Sequence, residues 1–236
     1  MHLSATNLVL LPGLDGTGKL FTDLIDALPS SVIATAIGYP SDQFLSYAEL
    51  LPSLHTVLPQ SNPFVLLAES FSTPLAILYA ATQPTNLRAL ILCAGFATNP
   101  ITRLAPLPKT VVGSWLFKLR PPDSILEHFL VGPNAPRFLL NKVRGVLRSV
   151  DSRVMSARAR EVLNCDARGD LAKLSVPTMY LRPAYDRIIP ARKADEIRKA
   201  RPDIVVRSIP GPHMILQREP RKTAALVSEF IQKLAI

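Results

Sequence analysis

Leu66-Leu67-Ala68-Glu69-Ser70-Phe71-Ser72-Thr73-Pro74 is the stretch on which the reading of the whole chain turns. The apolar run Phe64-Val65-Leu66-Leu67 leads into it, short enough for a buried strand. Pro74 fits the first turn of a helix, where no backbone donor is needed. Ser70 therefore stands at a strand-to-helix turn, with the small residues Ala68 and Ser72 two positions away on either side. A serine hydroxyl is a weak nucleophile until a base takes its proton. A sharp turn with small neighbours can present it to a substrate. The plain alternative is a serine capping a helix, and this segment alone leaves both open.

Working outward, short apolar runs predict strands at 8–11, 32–37, 64–68, 89–94, 178–182 and 204–209. Helix-like segments fall at 20–28, 47–58, 74–82, 191–200 and 221–234. Such alternation predicts an α/β fold, a mainly parallel sheet covered by helices. Residues 96–175 break the rhythm with seven prolines (Pro100, Pro106, Pro108, Pro121, Pro122, Pro133 and Pro136) and show no strand pattern. The expectation is a core of 1–95 and 176–236 with a helical cap inserted at 96–175. Within the cap, Leu139, Val143, Val146, Leu147 and Val150 recur at helical spacing, with Arg137, Arg144 and Arg148 opposite. That basic face reads either as solvated or as a docking surface for an acidic partner. Leu116, Phe117, Phe129 and Phe138 are the candidates for an apolar inner face over the substrate.

At 236 residues, 48% hydrophobic and 19% charged, the chain can bury a core and is not of a disordered class. The net charge of +9 is local: residues 103–160 hold 11 Lys/Arg and 3 Asp/Glu, while the remainder is almost neutral. A local basic field attracts acidic partners or substrates. Few aromatics interleave with those basic residues, which argues against nucleic-acid binding. Cys93 lies in a strand run and is expected to be a buried thiol; neither it nor Cys165 fits a disulfide framework or a metal motif. Residues 50–68 lack charge, but Pro52, Pro59 and Pro63 interrupt them, so no membrane span is expected. With no basic leader before the first strand, a cytoplasmic protein is expected.

Two later segments supply partners for Ser70. Asp186 follows the apolar run ending at Arg182-Pro183 and precedes Ile188-Ile189-Pro190, which places a carboxylate at the C-terminal edge of a strand. Ligands gather at that edge in open α/β sheets. The alternative is a loop aspartate paired with Arg187 or Arg182. His213, in Ile209-Pro210-Gly211-Pro212-His213, also follows a strand and would take the proton of Ser70; the alternative is a packing or surface histidine. His2, His55 and His128 are less suitably placed. Leu11-Pro12-Gly13-Leu14-Asp15-Gly16-Thr17-Gly18 follows the first strand and lacks the Gly-Lys-Ser/Thr spacing of a phosphate loop. Glycine there lets backbone amides approach a ligand. The backbone N–H groups of Leu14 and Phe71 are the candidate pair for holding a tetrahedral oxyanion.

These four segments, in this order, resemble the α/β-hydrolase family over nearly the whole chain, with Ala68 and Ser72 where the family's elbow usually has glycine. The resemblance implies a Ser70, Asp186 and His213 triad without a cofactor, and a helical cap after the strand that follows the nucleophile helix. Size and cap look most like small bacterial carboxylesterases, among them esterases acting on an acyl-carrier-protein methyl ester. The expectation is a hydrolase of a carboxylic ester acting on a small-molecule substrate or one carried by an acidic acyl carrier protein docked on the cap. A thioesterase uses the same machinery. A non-catalytic small-molecule receptor on the same fold is the alternative of a different class.

Overall fold

The computed structural model describes residues 5–100 and 122–234; Leu116 and Phe117 fall outside them. Six strands, β1 Thr6–Leu11, β2 Val32–Ala36, β3 Phe64–Glu69, β4 Leu87–Cys93, β5 Thr178–Pro183 and β6 Val205–Ile209, form one sheet. Their order is β2-β1-β3-β4-β5-β6, and every pairing is parallel. The chain winds outward from β1 to β2, then returns to place β3 on the other side of β1. That reversal opens a crevice at the C-terminal ends of β1 and β3. The Gly13 loop and Ser70 leave the sheet there, which explains how residues far apart in sequence come together.

Helices cover both faces. Those nearest the sheet are α1 Thr22–Ala27 and α10 Pro220–Gln232 on one side, and α2 Tyr47–Val57, α3 Ser72–Ala81 and α8 Arg192–Ala200 on the other. Burial on two faces is the reason β3 and β4 read as unbroken apolar runs rather than alternating ones. Leu66 and Ala68 face one core, Val65 and Leu67 the other, all fully buried. Ser46 starts α2 with a capping box: its hydroxyl accepts from the Glu49 amide while the Glu49 carboxylate reaches back to the Ser46 amide. Cys93 and Cys165 are free thiols, and burial pushes both up, Cys165 to about 12.

The insertion contains α4 Asp123–Leu126, which runs on into a π-helical turn, then α5 Arg137–Arg148, α6 Ser152–Val162 and α7 Arg168–Leu171. Its two ends are fastened to each other. Thr98 bridges Asp166, and the Ala167 N–H donates to Ala97 O at 2.7 Å. Phe96, Ala97, Val162 and Leu171 belong to the same core cluster as β3, so the ends of the insertion are part of the body. Leu139, Leu140, Val143 and Val146 of α5 pack with Leu20 and Met214, and Val150, Val154 and Met155 pack against Leu14. The helices α5 and α6 thus rest on the two loops that carry Leu14 and His213.

Candidate active site

The backbone at Ser70 has φ = 47°, in the left-handed region that a side chain rarely adopts. The Ser70 N–H donates to Cys93 O at 2.9 Å, and Ser70 O accepts from the amide of Thr73 at 3.0 Å, so sheet and helix hold the turn from both sides. Ser72 does more than stay small. Its hydroxyl donates to Pro12 O at 2.5 Å and accepts from the Tyr39 hydroxyl at 2.6 Å, tying the elbow to the Gly13 loop. Burial pushes the Tyr39 phenol well up and keeps it protonated, as that bond requires.

Ser70, His213 and Asp186 come together. His213 Nε2 lies 3.0 Å from Ser70 Oγ, and His213 Nδ1 lies 2.8 Å from Asp186 Oδ2. A carboxylate on Nδ1 fixes the ring with that nitrogen protonated, leaving Nε2 to accept from the serine. The backbone amides of Ile188 and Ile189 each donate to Asp186 Oδ1 at 2.8 Å, so the carboxylate is oriented by its own loop. Arg187 turns away to His128, 2.6 Å from its Nδ1, instead of pairing with Asp186. Burial draws the His213 imidazole down, but the charge and hydrogen bond of Asp186 outweigh it and hold His213 above its ordinary value.

Neither the Leu14 N–H nor the Phe71 N–H donates to an acceptor among the described residues. Both residues are pinned by their carbonyls: Phe71 O accepts from the Tyr47 hydroxyl at 2.7 Å, and Leu14 O from Arg158 at 3.1 Å. Arg158 is a site residue that the sequence reading missed. It is 1% exposed and also donates to Asp15 O at 2.6 Å and Pro40 O at 2.7 Å. Gly16, with φ = 71°, makes room for it: a Cβ there would sit 2.3 Å from Arg158 Nη1. Glu69 is a second missed residue, a buried carboxyl directly before the serine.

The cap residues fall differently. Phe138, expected on the inner face, is 67% exposed, because the inward stripe of α5 begins one position later at Leu139. Phe129 is 41% exposed and stands edge-on against His128. Arg137 and Arg148 are exposed, while Arg144 forms an ion pair with Asp123. Lys142 pairs with Asp23, Arg153 with Asp151, and Arg158 is buried, so the outward basic field is weaker than the residue count implies. A groove of about 510 Å³ opens beside Asp186, between His128, Gly132, Tyr185 and Pro212. It borders the acid's loop rather than the serine. Among the described residues, no cluster of His, Cys, Asp and Glu could hold a metal ion, and no helix is long and apolar enough to cross a membrane.

No family model and no curated protein matches the sequence. Solved structures do match. An esterase from Exiguobacterium antarcticum superposes with a TM-score of 0.81 at 16% identity, covering 98% of this chain and 93% of that one. The chain adopts the α/β-hydrolase fold. A thermophilic esterase from Thermogutta terrifontis gives 0.78 at 17% identity, covering 98% and 90% of the two chains. MenH from S. aureus gives 0.79 at 15%, covering 97% and 94%. At such identities the likeness extends to the α/β-hydrolase fold and no further.

Proposed function

We propose that the protein is a serine hydrolase that cleaves a carboxylic ester through an acyl-enzyme. The observation that carries this reading is the Ser70–His213–Asp186 chain, at 3.0 Å and 2.8 Å, on a serine with φ = 47°. Ser70 Oγ attacks the ester carbonyl as His213 Nε2 takes its proton. The tetrahedral oxygen is received by the Leu14 and Phe71 N–H groups. His213 then returns the proton to the leaving alcohol, and water repeats the sequence to free the acid. Asp186 keeps the ring in its working tautomer and stabilises the imidazolium. A fluorophosphonate should phosphonylate Ser70 Oγ with loss of fluoride, adding the reagent's mass less HF; labelling elsewhere, or none, would remove the assignment.

The base works only when neutral, so activity rises as His213 loses its proton. Asp186 raises the proton affinity of His213, so the wild-type rise should centre above the ordinary histidine value. Asp186→Asn should shift the rise to lower pH and cut kcat on the order of a thousandfold or more. A kcat/KM profile on a chromogenic ester checks both, and an unmoved acid limb would exclude Asp186 as the partner.

Docking of an acidic acyl carrier protein on the cap rests on Arg137 and Arg148, the two of the three arginines that form no ion pair among the described residues. Reversing both to Glu should raise KM for a carrier-bound ester on the order of tenfold and leave a small free ester unchanged. An equal KM for the carrier-bound substrate rejects the docking surface.

A further inference from the structure

Glu69 ends β3 and is 5% exposed. Its Oε2 accepts from Gln217 Nε2 at 3.2 Å, the latter on α9 Ile215–Arg218. Glu69 Oε1 and Gln217 Oε1 are both buried and have no hydrogen-bond partner among the described residues. Two stranded acceptors on side chains already joined by one bond are a costly arrangement for a carboxylate. A proton on Glu69 would supply a donor: in an acid–amide ring, Oε1 would donate to Gln217 Oε1 while Gln217 Nε2 donates to Oε2.

The surroundings favour that proton. A Cβ on Gly13 would lie 3.7 Å from Glu69 Oε2 and 3.9 Å from Asp15 Oδ1, so the loop carrying the Leu14 amide lies against two carboxyl groups. Asp15 Oδ2 accepts from the amide of Thr17 at 2.8 Å and from its hydroxyl at 2.6 Å. The titratable groups around Glu69 are Asp15 after β1, Cys93 beside it on β4 and His213 after β6; Gln217 on α9 is neutral. Burial, the largest influence, pushes Glu69 up to about 7; Asp15 pushes the same way, and His213 and Gln217 pull back.

We propose that Glu69 is a positioning residue held as the neutral acid by Gln217, and that its ionisation sets an alkaline limit on the reaction at Ser70. The kinetic half of this rests on Ser70 being the nucleophile. An anion at Glu69 would place negative charge under the loop that must receive the oxyanion, beside Asp15. That charge slows the reaction as pH rises, where a serine hydrolase without such a group would level off once its histidine is neutral.

The test is the pH dependence of the wild type and of Glu69→Gln, whose amide can close the same ring with Gln217 but cannot ionise. Wild-type kcat/KM on a chromogenic ester should rise, peak and fall about tenfold on the alkaline side. In Glu69→Gln the fall should vanish. An alkaline limb identical in both, or no fall in the wild type, overturns the kinetic claim. An infrared difference spectrum between mildly acidic and mildly alkaline solution reads the proton without any substrate. A protonated carboxyl band should be lost on raising the pH of the wild type and be missing from Glu69→Gln at either pH. If that variant does not fold, Gln217→Ala in its place should shift the wild-type band and the pH at which it is lost. If neither measurement finds a protonated Glu69, the assignment fails; if the band is present but no ester is turned over, only the esterase reading fails.

Discussion

Ser70→Ala should reduce hydrolysis of p-nitrophenyl butyrate by at least on the order of ten-thousandfold, to the level left by binding and backbone donors alone. The change removes one oxygen, and that oxygen bonds only to His213 among the described residues. Alanine must still adopt φ = 47°, as serine does, and the bonds of Ser70 N to Cys93 O and Thr73 N to Ser70 O are untouched. The fold should therefore survive, with Tm shifted by only a few degrees, and the loss can be assigned to chemistry rather than unfolding. His213→Ala should cost about as much, and the double variant little more, because nucleophile and base act as a unit. Full activity in Ser70→Ala would mean that another group attacks, and the proposed mechanism would fall at its first step. No activity in either protein would shift weight to a receptor role or to a partner-borne substrate.

The parts of this molecule legible in sequence are those with a local cause. β3, β4 and β5 are largely buried, so they appear as apolar runs with sharp ends, and Ser70 and Asp186 sit just past two of those ends; His213 follows β6, an edge strand with Arg207 and Ser208 exposed. The order β2-β1-β3-β4-β5-β6 has no local signature, because it depends on which way each crossover turns. Phe138 shows the limit of reading a helix face by residue type: one position is 100° of rotation, and the aromatic fell outside the stripe. Arg158 was hidden among arginines counted together as a basic field. A signal was present, however. Arg158 lies four residues from both Val154 and Val162, on the buried stripe of α6. A charge on an apolar stripe needs a partner, and its partners are carbonyls from segments more than a hundred residues away. Glu69 was likewise visible as a charge closing an apolar strand, but its link to Gln217 spans 148 residues and only folding reveals it.

Arg158→Met should lower kcat on the order of a hundredfold while moving KM little, the pattern of a lost transition-state contact rather than lost binding. Arg158 touches neither Ser70 nor His213. It holds Leu14 O, Asp15 O and Pro40 O in one planar fork, and the Leu14 amide is the proposed oxyanion donor on that loop. A donor displaced by even a fraction of an ångström loses most of its worth, because its value depends on being in place before charge develops. Methionine keeps much of the volume but none of the donors. Asp15 O would be left buried and unpaired, and water could repair only part of the other two losses, so stability should fall by about 2–4 kcal/mol. Arg158→Lys separates the two effects. It retains a charge and one donor but cannot span three carbonyls, so it should recover more of the stability than of kcat. Burial draws the guanidinium down from its ordinary value, while Asp15 and Tyr39 pull it back, and it remains charged throughout the working range. The kcat loss should therefore be the same at every pH, unlike that of Asp186→Asn. Since Arg158 is on α6 of the insertion and its acceptors are in the loops after β1 and β2, this side chain fastens α6 to those loops. A wild-type kcat in Arg158→Met would show that the loop after β1 holds its shape unaided and that the hold of α6 on it is structural alone.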